Sequence, residues 1–251
     1  MLTLFLSQSS LAFITKVDSV YHGKFGKVML YQKSKTPSSV VLFISGDGGW
    51  EHGVINMAKF LAMQGALVLG VDAKTYNQIL TKENVDCYDL VTDFIDLSDF
   101  IQKKYHFLNH VKPILVGYSY GATLVYGIAA QANPGTFQGT IALGFCPDLE
   151  MKRPLCKGNG IEETVLKPGI SYNVERFDGF LDPFIIINGV RDGTCLIEPI
   201  TVFLKGLKNI EFVVLKKLGH GFSIADNWLP DFKFQYQKIF HLTPPYQLVF
   251  Y

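Results

Sequence analysis

Gly117-Tyr118-Ser119-Tyr120-Gly121 constrains this chain more than any other stretch. The apolar run Pro113-Ile114-Leu115-Val116 precedes it, and the small-residue run Ala122-Thr123-Leu124-Val125-Tyr126-Gly127-Ile128-Ala129-Ala130 follows. A buried strand, a sharp turn with serine at its tip and a helix form a nucleophile elbow. Free serine is a poor nucleophile. The turn offers its Oγ to a base and sets a helix N-terminus behind developing negative charge. Gly117 and Gly121 fit where strand and helix backbones pass too closely for a Cβ. The alternative is an ordinary turn between a parallel strand and its helix, and the downstream residues argue against it.

In an α/β-hydrolase, serine is followed along the chain by an acid and then a histidine. Pro183-Phe184-Ile185-Ile186-Ile187-Asn188 reads as a parallel strand buried on both faces. It runs into Gly189-Val190-Arg191-Asp192-Gly193. Asp192, just past a strand's C-terminal end, lies where ligands bind in open α/β sheets. It is the expected orienting carboxylate, against the reading of a solvated turn residue. Asp148 and Glu150, after the strand Thr140–Phe145, are the rival acids. A third strand, Ile210–Leu215, leads to Lys216-Lys217-Leu218-Gly219-His220-Gly221-Phe222-Ser223. His220, between two glycines, is the expected base. His22, His52, His106, His110 and His241 lack this setting, although His52 neighbours another candidate loop.

That loop follows the strand Ser39–Ile44 and reads Ser45-Gly46-Asp47-Gly48-Gly49-Trp50. An oxyanion hole in this fold takes one N–H from the residue after the nucleophile, here Tyr120, and one from an early strand's loop. Asp47 or Gly48 would supply the second. A phosphate nest is the other reading, but the Lys-Ser/Thr ending of a nucleotide loop is missing. The Asp47 carboxylate would repel an oxyanion. It is expected to bond loop backbone or meet a cationic part of a substrate.

These segments resemble the VirJ/AcvB family of bacterial virulence proteins, α/β-hydrolases of the envelope. Gly46-Asp47-Gly48-Gly49-Trp50, Gly70-Val71-Asp72 and the elbow carry the resemblance. Pro147-Asp148-Leu149-Glu150, Asp192 with Cys195, and Gly219-His220-Gly221-Phe222 extend it over roughly residues 38 to 245. Gly221 stands where the family would have a second histidine. The resemblance implies a serine hydrolase of an envelope lipid, specifically an aminoacylated phosphatidylglycerol such as lysyl-phosphatidylglycerol. Asp47, Trp50, Asp148 and Glu150 are then the expected substrate-binding residues. It also implies a periplasmic or secreted location, the cytoplasm being the alternative, and leaves room for an envelope or secretion-system protein partner. Two other functions stay open: a non-catalytic binding or secretion-accessory protein on a hydrolase scaffold, and a generic carboxylesterase or thioesterase for a small soluble ester.

Length and charge bound the rest. At 251 residues and 48% hydrophobic, the chain can bury one large core. A net charge of +1 suggests no nucleic-acid partner. No apolar run reaches the roughly 18 residues of a membrane span. Residues 1–26 are set apart as an N-terminal segment. Leu2–Leu6 and Ser10-Leu11-Ala12 read as the tail of a signal peptide, or as a first strand or a disordered end. Cys87, Cys146, Cys156 and Cys195 lack metal-ligand spacing and fit two disulfides or free thiols. Cys156 is the expected partner of Cys195, whose disulfide would brace the acid loop. No metal or cofactor is called for.

The alternation of strands and helices predicts an α/β-hydrolase fold: a mostly parallel central sheet with helices on both faces, as one domain over 27–251. Lys27–Tyr31 reads as an edge strand and Ala66–Val71 as an inner one. Helices are expected at Val54–Met63, Val85–Lys104, Glu198–Leu207 and Trp228–Phe240. Lys152–Phe177, with Gly158, Gly160, Pro168 and Gly169 and no helical period, is expected as a loop-rich excursion over the site.

Overall fold

The computed structural model describes residues 16–241. The signal-peptide reading of Leu2–Leu6 and Ser10–Ala12 lies outside them. The centre is an eight-stranded sheet. Its strands are β1 (Lys16–His22), β2 (Gly26–Gln32), β3 (Ser39–Ile44), β4 (Ala66–Val71), β5 (Ile114–Tyr118), β6 (Gly139–Leu143), β10 (Phe184–Gly189) and β11 (Ile210–Leu215), in the order β1-β2-β4-β3-β5-β6-β10-β11. Only β2 runs against the others, pairing antiparallel with β1 and with β4. The remaining pairs are parallel.

β3, β4 and β10 are buried along their whole length, because helices cover both faces. Side chains alternate between two cores, as the strand period of two requires. Val40, Leu42 and Ile44 join one core, Val41 and Phe43 the other. Helices α1 (Ile55–Met63) and α6 (Leu229–His241) cover the second face, while α2 (Ala73–Leu80), α3 (Leu90–Lys104), α4 (Tyr120–Gln131) and α5 (Ile197–Leu204) cover the first. No described helix is long and apolar enough to cross a membrane.

Several expectations need correction. The edge strand is β1, not Lys27–Tyr31, so the sheet begins inside the segment set apart as 1–26. The expected helix at Val85–Lys104 starts only at Leu90, where Asp89 caps it by accepting the Thr92 N–H. α2 was not expected. Asp72 caps it through the Thr75 N–H at 2.7 Å.

Lys152–Phe177 is not merely loop. β8 (Glu163–Lys167) and β9 (Ser171–Val174) pair antiparallel, and β9 also pairs with β7 (Asp148–Leu149). The little sheet packs on α4 through β7. Leu155 packs on Gly127, where a Cβ would come within 2.3 Å of its Cδ1. The Tyr126 hydroxyl donates to the Glu175 carbonyl at 3.1 Å and accepts the Phe177 N–H at 2.8 Å.

The disulfides are Cys87–Cys156 and Cys146–Cys195, so the expected Cys156–Cys195 pairing is wrong. Cys156 instead holds Cys87 at the entry to α3. There the Gln131 amide donates to the Tyr88 and Cys156 carbonyls. Two disulfides fit a chain matured in an oxidising compartment.

One group in the excursion gives a pH-dependent stability. Burial pushes the Glu163 carboxyl from its ordinary 4.5 up to about 7, against the bond its Oε2 accepts from the Leu155 N–H. Its Oε1 has no partner among the described residues. The unfolded carboxyl ionises first, so folding loses free energy as pH rises from about 4.5 to about 7. Glu163→Gln, which keeps the acceptor and removes the charge, should therefore raise the melting temperature at pH 8. It should leave the melting temperature unchanged at pH 4, as a thermal scan at the two pH values would read.

Candidate active site

Strands β3, β5, β6, β10 and β11 all deliver their loops to one edge of the sheet, the carboxyl edge where open α/β sheets build sites. β5 ends at the elbow. Ser119 sits at φ 54, ψ −119, a conformation non-glycine residues seldom adopt. The surrounding backbone enforces it. A Cβ on Gly117 would meet the Gly121 carbonyl oxygen at 2.0 Å, and one on Gly121 would meet the Ile44 oxygen at 2.4 Å. The serine is thus held out at the N-terminus of α4.

His220 reaches it from the loop after β11. Ser119 Oγ lies 2.9 Å from His220 Nε2, and His220 Nδ1 lies 2.8 Å from Asp192 Oδ2. A carboxylate can only accept, so Nδ1 carries the proton and Nε2 is free to accept from serine. Asp192 is 3% exposed. Its other oxygen accepts the N–H groups of Thr194 and Cys195, both at 2.8 Å. Each acid oxygen therefore has its own donors, which fixes the carboxylate plane. The loops of Asp192 and His220 touch directly. A Cβ on Gly189 would fall 2.0 Å from the Leu218 carbonyl oxygen, and Arg191 N–H donates to that oxygen at 2.9 Å.

Cys195 is bonded to Cys146 on the loop after β6, so the disulfide does brace the acid loop, with a different partner from the one expected. Asn188, fully buried in β10, clamps the same β6 loop. Its amide accepts from the Phe145 N–H and donates to the Phe145 carbonyl, each at 3.0 Å. Asp192, Cys195 and His220 have ligand atoms close enough to surround a metal ion. The Cys195 sulfur is spent in its disulfide, and the acid and base are bonded to each other.

A cleft of about 140 Å³ opens at Ser119. Three carboxylates line it: Asp47, Asp148 and Glu150. All three are exposed, and none is paired with a described Lys, Arg or His. Tyr120, Thr123 and the Cys146–Cys195 disulfide form the rest of its wall with Thr194. The Tyr120 hydroxyl donates to the Glu150 carbonyl at 2.9 Å, which secures the strip bearing the two downstream acids. Burial first, then the charges of Glu150 and Asp47, raises the Tyr120 phenol far above its ordinary range, so it stays a donor. Asp148 and Glu150, the rival acids, face the cleft and make no bond to His220.

Asp47 is on the cleft wall, while Gly48 turns against His52, whose Cβ a Gly48 Cβ would approach to 3.3 Å. No described acceptor takes the main-chain N–H of Asp47 or of Tyr120. Trp50 needs correction as a substrate-binding candidate. It is 3% exposed, its indole N–H donates to the Tyr31 hydroxyl at 3.0 Å, and its ring lies over Gly70, where a Cβ would come within 2.2 Å. It is a core residue that anchors the glycine loop. Asp72 completes that anchor by accepting the Trp50 N–H at 2.7 Å. Gly49, at φ +86, leaves room for the Asp72 carboxylate.

This architecture is the α/β-hydrolase fold, and solved chains of that fold superpose along nearly their whole length. An esterase of Pyrococcus furiosus aligns at 16% identity with a TM-score of 0.60, covering 95% of this chain and 94% of that one. Est1E of Butyrivibrio proteoclasticus, in a structure with ferulic acid bound, aligns at 16% identity and TM-score 0.57, covering 90% and 96%. An α/β serine hydrolase without a lid from Xanthomonas campestris aligns at 16% and 0.52, covering 94% and 95%. At such identities the likeness is one of fold.

Residues 38–142 match the family model of the bacterial virulence protein VirJ. That segment runs from the strand before the glycine loop through the elbow, so it contains Asp47, Trp50 and Ser119. Asp192 and His220 lie beyond it. No curated protein matches the chain.

Proposed function

We propose that the protein is a serine hydrolase that cleaves a carboxylic ester through an acyl-enzyme. The observation that carries this reading is the chain of contacts from Ser119 Oγ through His220 to a buried Asp192. In the reaction, Oγ attacks the ester carbonyl while Nε2 takes its proton. The negative oxygen of the tetrahedral adduct faces the N–H groups of Tyr120 and Asp47. His220 then gives the proton to the departing alcohol. A water, deprotonated by the same nitrogen, attacks the acyl-serine and releases the acid. A non-catalytic scaffold would have no physical use for a serine held at φ 54 against a histidine.

The finer reading is an ester whose acyl part carries an ammonium group. The carboxylates at the serine support it, since a cation is what three unpaired negative charges attract. With the family resemblance, this points to aminoacylated phosphatidylglycerol, such as lysyl-phosphatidylglycerol, in the bacterial envelope. Two disulfides and the VirJ segment support a periplasmic site of action. Incubation with a fluorophosphonate probe should label the wild type covalently. Turnover of lysyl-phosphatidylglycerol should exceed that of a short-chain neutral ester. Neutralising Asp47, Asp148 and Glu150 together should raise KM for the cationic lipid about tenfold and leave the neutral ester unaffected. A folded wild type that neither labels nor turns over either ester would overturn the hydrolase reading. Equal handling of both esters would overturn the cationic one.

A further inference from the structure

Gly219 and Gly221 give the histidine loop little stiffness of its own, and a Cβ on Gly221 would meet nothing within 4 Å. Yet the imidazole must keep hydrogen-bond distance to Ser119 and Asp192 at once. The loop's own turn holds Phe222, whose N–H donates to the Gly219 carbonyl at 3.2 Å. The Trp228 indole donates to the Phe222 carbonyl at 2.9 Å. His220's own carbonyl has one described donor, the hydroxyl of Tyr118, at 3.0 Å.

Tyr118 is the residue before the nucleophile, so this bond joins the elbow to the main chain of the base. Its ring lies beside the imidazole, with centroids 5.9 Å apart, and meets the Phe222 ring edge-on at 5.7 Å. Phe222 sits at φ 48, a left-handed conformation costly for an aromatic residue. Gly46 and Gly53 flank the Tyr118 ring, with Cβ positions 3.5 and 3.6 Å from its edge, ordinary contact distances. The side chain is thus wedged between the glycine loop and the histidine loop.

The geometry points to Tyr118 as a positioning residue: its hydroxyl clamps the His220 carbonyl and so sets the imidazole on Ser119 and Asp192. This rests on the serine-hydrolase reading above. The phenol touches no reacting atom and acts through His220. Burial, with Asp192 and Asp47 nearby, holds its pKa above the ordinary value, so it keeps the proton it donates. The clamp is of most use when His220 becomes imidazolium, since the ring must then turn its proton toward the leaving group and not swing away with the loop. Small displacements of a catalytic group are expensive in rate, up to a hundredfold for about 1 Å.

Tyr118→Phe keeps the wedged ring and removes only the hydroxyl. It should lower kcat about tenfold on any turned-over ester and slow fluorophosphonate labelling by a similar factor, with KM unchanged. Proton NMR of the resting protein supplies a readout independent of turnover. The wild-type Nδ1–H of His220, bonded to a carboxylate, should give a resonance far downfield that broadens into solvent exchange in Tyr118→Phe. Rates within twofold of wild type would overturn the proposal. So would a lowered melting temperature with unchanged kcat, or a downfield proton as sharp as the wild type's. An unreactive wild type would sink the hydrolase reading alone, because the NMR comparison still reads the clamp.

Discussion

Ser119→Ala should abolish fluorophosphonate labelling and lower kcat by about 10⁴ to 10⁶, the range found when a nucleophile is removed from such a constellation. The protein should stay folded. Oγ makes a single described bond, to His220 Nε2, and no part of the fold hangs from it. Alanine also inherits the strained backbone at φ 54 without needing to relieve it, since the close approaches there are those of Gly117 and Gly121. Circular dichroism and melting temperature should therefore match the wild type while activity disappears. A variant that retained turnover would leave the bond to His220 as a structural contact and return the protein to the class of scaffolds.

Asp192→Asn should cost about 10⁴ in kcat with the fold again intact. The reason lies in how the two acid oxygens are committed. Oδ1 takes the Thr194 and Cys195 N–H groups, and Oδ2 takes the imidazole. An asparagine satisfies the two main-chain donors only with its oxygen at the Oδ1 position. That places its NH2 against His220 Nδ1. The histidine then accepts at Nδ1 and carries its proton on Nε2, where it can no longer accept from Ser119. Asp148→Asn is the companion measurement. It should leave kcat for a neutral ester near wild type, because Asp148 faces the cleft and makes no bond to His220. A larger loss in Asp148→Asn than in Asp192→Asn would transfer the acid to the loop after β6.

The elements easiest to read from the sequence were those whose chemistry is local. β3, β4, β5 and β10 announced themselves because strands buried on both faces are continuous apolar runs, and Gly117 and Gly121 mark a packing contact only glycine allows. The chain order of Ser119, Asp192 and His220 pointed to residues that the structure brings within hydrogen-bond distance. What stayed hidden depends on contacts between distant segments. Trp50 was expected to bind substrate only through the family resemblance. Nothing local says that its ring is spent on Gly70 and Tyr31. Asp72 gave a signal, an acid just past a strand and before a helix, that its cap on α2 explains. β8 and β9 were missed because they form an outlying sheet with an exposed, charged strand in place of a buried run. The cysteine pairing was beyond sequence, since four cysteines allow three connectivities. Tyr118 was visible only as a letter in the elbow motif, and its bond to His220 joins residues 102 apart in the chain.

The Cys146–Cys195 bond also answers to the redox state of its surroundings. Its two cysteines are 49 residues apart in the chain, with β10 between them. It fastens the loop that carries Asp192 covalently, beside the main-chain bond from Arg191 to Leu218. In a chain kept reduced, that loop would rest on its hydrogen bonds and packing alone.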